Sequence, residues 1–412
     1  MIHIKILIMA TTFPRWVNDT RPAFIYELSK TLSKNSDIFV LAPHCQGARL
    51  YEIIGRLKVY RYIYFIPFGY QRLAYGVSIL NNIHKSNLAK AQIPFFFISE
   101  LMYSIFIIKS KKIDIINSHW IIPQGFIGAI CNFLFGIPHI STIHAADLFG
   151  LEKLPFKRSL CDFIVENSDG IIVVSSYIRE RLLNLISPEL IGEVEKKTRI
   201  IPMGVQTRLF YPRPNKDELK AAYCINSKYV VLFIGRFAEK KGIPYLIEAM
   251  PGIIRSMQNV SLILCGDGDL RKTYEKIVDA LGMSEHIKFA GFVSDSEKID
   301  YIGLADIIVI PSIIDKSGDT EGLPVVILES LAAGKPIIAS DVSGIKDVII
   351  DGFNGHLVSP QNSKQIEEKI LMLLNNNTHR EFISENALKT SENYDWSKIG
   401  DRMLTFMEDS SS

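Results

Sequence analysis

Two glutamates, Glu321 and Glu329, are separated by seven residues in the run EGLPVVILE, where nearly everything between them is apolar. A carboxylate in such a setting must meet a donor or a cation, because burying it unpaired costs several kcal/mol or forces it to take up a proton. Pro324 at a first-turn position, Gly334 at the far end and VVILESLAA between them predict a short buried helix. On that helix residues 322, 325, 326 and 329 share one face, so Glu329 points where Val325 and Val326 point. A hydrogen bond to a nearby backbone amide is the plain structural answer to its charge.

A second group of polar residues follows a β-rich stretch at 230–234, which delivers Gly235-Arg236-Phe237-Ala238-Glu239-Lys240-Lys241-Gly242 to a helix beginning near Pro244. Arg236 and Lys241 are thereby held beside a helix N-terminus, where free N–H groups and the helix dipole favour an anion. A diphosphate suits this pair, since arginine supplies a planar fork and lysine a mobile point charge. No Gly-x-x-x-x-Gly-Lys-Ser/Thr run occurs, which excludes a P-loop. Cys265-Gly266-Asp267-Gly268-Asp269 also leads from a strand into a helix, but it lacks a third glycine at dinucleotide spacing. Asp269 as a helix N-cap and Asp267 as a turn residue account for both carboxylates without a metal. His144, in Ile143-His144-Ala145-Ala146-Asp147, follows a strand ending at Thr142, at the carboxyl edge where open α/β sheets bind ligands. His119 follows the preceding strand in the same way and is the weaker candidate. No Ser/His/Asp or Cys/His set is placed for nucleophilic hydrolysis.

Strands alternate with helices in both halves of the 412-residue chain, which predicts parallel sheets covered on both faces. In the first half strands are expected at 4–9, 37–41, 113–117, 139–142 and 170–174, with a helical pattern at PAFIYELSKTLSK. In the second half they are expected at 229–234, 261–265, 286–289, 306–310 and 336–339, with amphipathic segments such as DLRKTYEKIVDALG between them. The length exceeds one typical core. The fold class is therefore α/β, with two Rossmann-like doubly wound domains facing across a cleft where ligand is expected. A proline-rich connector at 201–214 separates the domains, and the helical segment 396–407 has no strand after it, which lets it pack back on the first domain.

Five scattered cysteines, Cys45, Cys131, Cys161, Cys224 and Cys265, have neither disulfide nor metal spacing and fit a reducing cytoplasm. The opening IKILIMA reads as a first buried strand and not as a signal peptide. The apolar run at 93–108 is interrupted by Glu100 and short for a bilayer, so no transmembrane helix is expected. Net charge is only +2, yet from residue 49 to 112 ten basic residues face just Glu52 and Glu100, amid aromatics such as Tyr60, Tyr62, Phe95 and Phe96. Such a surface suits an anionic bilayer or a lipid-linked phosphate. A solvated face over an aromatic core is the alternative, and no nucleic-acid recognition motif is present.

Taken together, GRFAEKKG, CGDGDLR, GFVSD, EGLPVVILESLAAGKPIIASDVSGI and IPMGV resemble glycosyltransferase family 4, retaining enzymes of the GT-B fold that use nucleotide-activated sugars. The likeness spans essentially the whole chain and is densest at 200–355. It implies an acceptor-binding domain at 1–202, a nucleotide-sugar-binding domain at 203–392 and a C-terminal helix at 393–412 returning to the first. It further implies that Arg236 and Lys241 hold the donor diphosphate, that Glu321 with the backbone of Gly322 and Leu323 grips the donor sugar, and that hydroxyl groups of the ribose satisfy Glu329. The backbone around Phe292 and Val293 would contact the base, and His144 matches the acceptor-domain histidine at the reacting face. Neither metal nor other cofactor is implied; the donor is a nucleotide-diphosphate sugar. The implied reaction is hexosyl transfer to a lipid-linked glycan acceptor in bacterial-type surface polysaccharide assembly, by a cytoplasmic protein peripheral to the inner face of the plasma membrane. One departure is the loop at 13–22, which lacks the paired glycines that the family usually places near the phosphates. A nucleotide-sugar epimerase of the same architecture and a non-catalytic nucleotide-sugar-binding subunit are the competing readings.

Overall fold

A computed structural model describes residues 4–16, 19, 23–75, 79–213 and 215–411. Part of the loop at 13–22, namely residues 17, 18 and 20–22, lies outside these, as does Pro214 of the connector. The chain divides into two compact units, Met1–Met203 with Trp396–Ser412, and Gly204–Asp395. The breaks fall after Met203 and Asp395, where 202 and 392 were expected. The returning chain stays tied to the second unit that far because Val205 N donates to the Tyr394 carbonyl at 2.8 Å and Thr207 Oγ1 to Asp395 Oδ2 at 2.5 Å.

In the first unit the strands are β1 (Lys5–Met9), β2 (Asp37–Pro43), β3 (Tyr51–Ile54), β4 (Leu57–Tyr62), β5 (Ile115–His119), β6 (His139–Ile143), β7 (Gly170–Val173) and β8 (Thr198–Ile200). They form one sheet in the order β3-β4-β2-β1-β5-β6-β7-β8, parallel except where β3 runs against β4. β1, β5, β6 and β7 are buried nearly throughout, as a sheet with helices on both faces requires. The order reverses between β1 and β5, so the loops leaving Met9 and His119 diverge there.

The second unit contains β9 (Tyr229–Ile234), β10 (Val260–Cys265), β11 (Ile287–Gly291), β12 (Ile307–Ile310), β13 (Ile337–Ser340) and β14 (His356–Val358). All pair in parallel in the order β11-β10-β9-β12-β13-β14, and the reversal lies between β9 and β12. Sequence reading passes over β3, β4, β8 and β14. Three of these are edge strands of three or four residues, made by pairing to a neighbour more than by their own pattern.

Two helices bear on function. Trp396–Ser410 belongs to the first unit, where Ile399, Met403 and Met407 join the core with Ile25 and Leu28 of the helix Ala23–Leu32. A Cβ on Gly400 would come within 2.4 Å of the Thr31 side chain, so the two helices touch where glycine stands. Asn87–Lys111 is 25 residues long and, contrary to expectation, is long and apolar enough to cross a membrane by length and composition. Its face made by Ala89, Gln92, Phe96, Glu100, Ser104 and Ile107 is nevertheless buried, the periodicity of a core helix. The opposite face exposes Phe95, Ile98, Met102 and Phe106.

Candidate functional site

In the second unit, polar residues gather on the loops leaving β9 and β12, the two strands flanking the reversal of order. Phe237 turns inward and packs between the rings of Phe233, Tyr274 and Phe289, which leaves the neighbouring Arg236 exposed. The turn after β10 braces this loop. Gly235 N donates to the Cys265 carbonyl at 3.0 Å and Phe237 N to that of Asp267 at 2.9 Å. A Cβ on Gly266 would stand 1.9 Å from the Gly235 carbonyl oxygen, and one on Gly268 2.4 Å from that of Phe237. The glycines of CGDGD therefore serve close loop packing. Asp267 is the expected turn residue, accepting from Gly268 N at 2.8 Å. Asp269 is not a helix cap, because the helix Arg271–Ala280 starts one residue later, with Leu270 at the cap and no side-chain bond there.

Lys240 and Lys241 close a single turn of tight helix, Glu239–Lys241, before the helix Ile243–Ser256. Both reach Glu321. Lys241 Nζ lies 3.3 Å from Oε2 and Lys240 Nζ 3.5 Å from Oε1, with Lys240 also 3.2 Å from Asp319. Burial pushes the Glu321 carboxyl up, but Lys241 and Lys240 outweigh it and hold the group below the usual carboxylate range. Glu321 is thus ionised at neutral pH. Gly322 is fixed by its carbonyl, which accepts from Gly344 N at 3.1 Å, and Leu323 is half-buried against the unit's core.

The short helix after Pro324 runs Val325–Ala332, so Gly322 precedes it and does not share its face as expected. Nor is that face fully apolar and buried, for Val325 is 38 % exposed. Glu329 itself is buried, and its partner is not a backbone amide: Lys298 Nζ donates to Oε1 at 2.5 Å. Burial still dominates, and the carboxyl is raised above its ordinary value despite Lys298. Lys298 stands on the helix Asp295–Leu304, begun by a capping box of Ser294 and Glu297. Phe292, 64 % exposed, and Val293, packed in the same core as Leu323 and Val326, lead into that helix from β11. The two glutamates therefore differ in kind, one held down by two lysines and one pushed up by burial, a division typical of groups with separate tasks.

In the first unit His144 follows β6 and His119 ends β5, and the two strands are neighbours. Their rings stack, with His119 Nδ1 3.0 Å from His144 Nε2, and Phe24 and Trp120 pack on the other sides of His144 with ring centroids 5.2 and 5.3 Å away. Burial pushes His144 down to about 4 against the pull of Asp147, and burial followed by His144 pushes His119 well below its usual value. Both rings are neutral at pH 7. His119 Nε2 is buried without a partner among the described residues. We assign the shared proton to His119 Nδ1, since an orphaned buried N–H is the rarer arrangement. His144 then accepts at Nε2 and keeps its own proton at Nδ1. Asp147 fixes the turn by accepting from Ile121 N at 2.7 Å, Ala145 N at 2.8 Å and His144 N at 3.1 Å. Trp120 and Ala145 take positive φ, 74° and 149°, strain of the kind that gathers at functional sites.

Sequence reading missed Lys240, Lys298, Asp147 and the partnership of His119. Asp147, three residues after His144 in HAAD, carried a turn signal, and Lys240 is the other half of the Lys-Lys pair. Nothing in the chain links Lys298 to Glu329 before the fold is known.

Comparison with known proteins bears on the family and the fold. Residues 23–209 match the profile of glycosyltransferase family 4 and residues 215–390 that of glycosyl transferases group 1. An uncharacterized glycosyltransferase of Methanocaldococcus jannaschii is 30 % identical over 358 residues, 86 % of this chain and 92 % of that one. A phosphatidyl-myo-inositol mannosyltransferase of Mycobacterium leprae is 34 % identical over 273 residues, 66 % of this chain and 67 % of that one. Among solved structures, Anabaena HepE in complex with UDP-glucose superposes with a TM-score of 0.70 at 18 % identity, covering 99 % of this chain and all of that one, a likeness of the GT-B fold. With both halves matched and a relative aligned over nearly its full length, the chain belongs to glycosyltransferase family 4 and is a transferase.

Proposed function

We propose that the protein transfers a hexosyl unit, with retention of configuration, from a nucleotide-diphosphate sugar to a lipid-linked glycan acceptor in surface polysaccharide assembly. The observation that carries this reading is the Arg236 to Gly242 loop, which sets Lys240 and Lys241 against Glu321 beside the N-terminus of a 14-residue helix. The diphosphate would lie on Arg236, Lys241 and the positive end of that helix. Glu321, with the backbone of Gly322 and Leu323, would hold the sugar; Glu329 would accept from ribose hydroxyls; Phe292 and Val293 would meet the base. The acceptor oxygen bonds to the anomeric carbon as that carbon's bond to the β-phosphate oxygen breaks, and the acceptor proton passes to the departing diphosphate. Charge developing on the leaving group is stabilised by fixed cations and dipoles, with no metal needed. His144, neutral and protonated at Nδ1, would donate to the sugar. A solved structure of the same fold holds UDP-glucose, which supports the donor class, and the Mycobacterium leprae relative is named a mannosyltransferase, which supports a hexosyl unit.

Proton NMR of UDP-, GDP- and ADP-hexoses tests the reaction. Transfer predicts that one donor gives up its nucleoside diphosphate only when acceptor is supplied; an epimerised donor in the absence of acceptor would establish the competing epimerase instead. Glu329→Ala is expected to weaken nucleotide binding by about 1–3 kcal/mol in a calorimetric titration.

We further propose that the first unit rests on the inner face of the membrane. Part of the basic excess is unavailable, because Arg61 is buried and paired with Glu52 at 3.2 Å. What supports contact is the exposed row Phe95, Ile98, Met102 and Phe106 together with Lys90, Lys109 and Lys111 on the same helix. Anionic liposomes are expected to retain the protein at low salt and release it at high salt, and no retention at either would remove the proposal.

A further inference from the structure

Beside His144 the first unit holds a cavity of about 450 Å³, within the range of small-molecule sites. Its walls are apolar, formed mainly by Leu73, Ile83, Phe96, Phe97, Ile122 and Leu154. The few polar groups are Thr11 and Thr12 after β1, Trp120 after β5, Asp147, and Tyr75, whose hydroxyl already donates to the Pro43 carbonyl at 2.9 Å. Asp147 offers little free acceptor capacity, since its carboxylate already accepts from three backbone N–H groups. The cavity thus sits where the strand order reverses, the usual ligand position in such sheets, yet offers almost nothing to a sugar. A sugar inside it would surrender hydrogen bonds to water without replacement. A hydrocarbon chain would not.

We propose that this cavity takes the hydrocarbon part of an amphiphilic acceptor, whose polar head is thereby presented to His144. The assignment rests on reading the first unit as the acceptor-binding one, and it names the acceptor class from the site itself. Continuity supports it at both ends. Trp120 and Asp147 line the cavity and also touch His144, one by its ring and one by its carboxylate. At the other side the helix Asn87–Lys111 lines the cavity with Ile93, Phe96 and Phe97 while exposing Phe95, Ile98, Met102 and Phe106. One helix accordingly offers apolar surface outward and inward, as a protein that draws a chain from a bilayer requires.

Hexyl, octyl and decyl β-glucosides, titrated calorimetrically below their micelle concentrations, provide the test. Saturable one-to-one binding is expected, with affinity rising by up to about fourfold per added methylene. Leu154, 42 % exposed, can be changed to arginine without burying the new charge. Leu154→Arg should weaken decyl glucoside binding at least tenfold and flatten the chain-length dependence, while Leu134→Arg, at an exposed position outside the cavity, should do neither. Circular dichroism and thermal melting verify the fold of each variant, and a nucleoside diphosphate titration separates the cavity assignment from the donor reading. If the diphosphate binds while the glucosides show no chain-length dependence, or lose affinity equally in both variants, the cavity assignment is overturned and the transferase reading stands. If no nucleoside diphosphate binds the unaltered protein, the donor reading falls and the acceptor assignment with it.

Discussion

Glu321→Gln is expected to lower sugar transfer by about two to three orders of magnitude, the scale of losing one preorganised electrostatic contact at a reacting centre, while nucleoside diphosphate binding holds or tightens. The reason lies in the two lysines. Lys240 has Asp319 as a second partner at 3.2 Å and stays neutralised when Glu321 loses its charge. Lys241, 3.3 Å from Glu321, is released toward whatever anion the loop receives. The glutamine keeps the volume and the hydrogen-bonding oxygen, so the variant should fold. Initial rates of transfer and a calorimetric titration, made on the same preparation, separate the roles. A parallel loss of transfer and diphosphate affinity would mean that Glu321 serves nucleotide binding and not the sugar.

Gly242→Ala should destabilise the second unit by about 2–5 kcal/mol, combining a left-handed backbone with forced overpacking. Gly242 has φ +62°, and its added Cβ would stand 1.8 Å from the carbonyl oxygen of Pro311. That oxygen belongs to the loop after β12, also held by the bond from Ile313 N to the Lys240 carbonyl at 2.8 Å. Neither backbone can yield without moving Lys240, Lys241 and Glu321 apart, so transfer should fall with stability. Gly318 supplies the control, since its φ of +78° is equally unfavourable to alanine but nothing lies within 4 Å of its Cβ. Gly318→Ala is expected to cost only about 1 kcal/mol. Urea unfolding followed by circular dichroism compares them, and equal midpoints would show that the packing of the two loops is loose.

Much of this organisation is legible in the chain because central parallel strands are runs of buried aliphatic residues, as at 229–234, where the expected and observed strand coincide. The edge strands β8 and β14 escaped because three residues carry too little pattern, and β3 because its pairing with β4 makes it a strand. At the site, residues near one another in sequence were within reach of reasoning: Arg236 with Lys241, and Glu321 with Gly322 and Leu323. What could not be read is a partner supplied by another element. Glu329 posed a question of charge that the sequence raises but Lys298, from a different helix, answers. His119 and His144 are joined only because β5 and β6 lie side by side. The helix Asn87–Lys111 shows the converse limit, since composition alone does not distinguish a membrane span from a core helix with an apolar outer face.

The central claim is that the loop Gly235 to Gly242 and the helix behind it hold a diphosphate. Calorimetric titration of the unaltered protein with a nucleoside diphosphate, the matching monophosphate and the nucleoside, for uridine, guanosine and adenosine in turn, tests it most directly. For one base the diphosphate should bind at least tenfold more tightly than the monophosphate, with Arg236→Ala removing most of that difference; equal affinity for all three forms of every base would contradict the account.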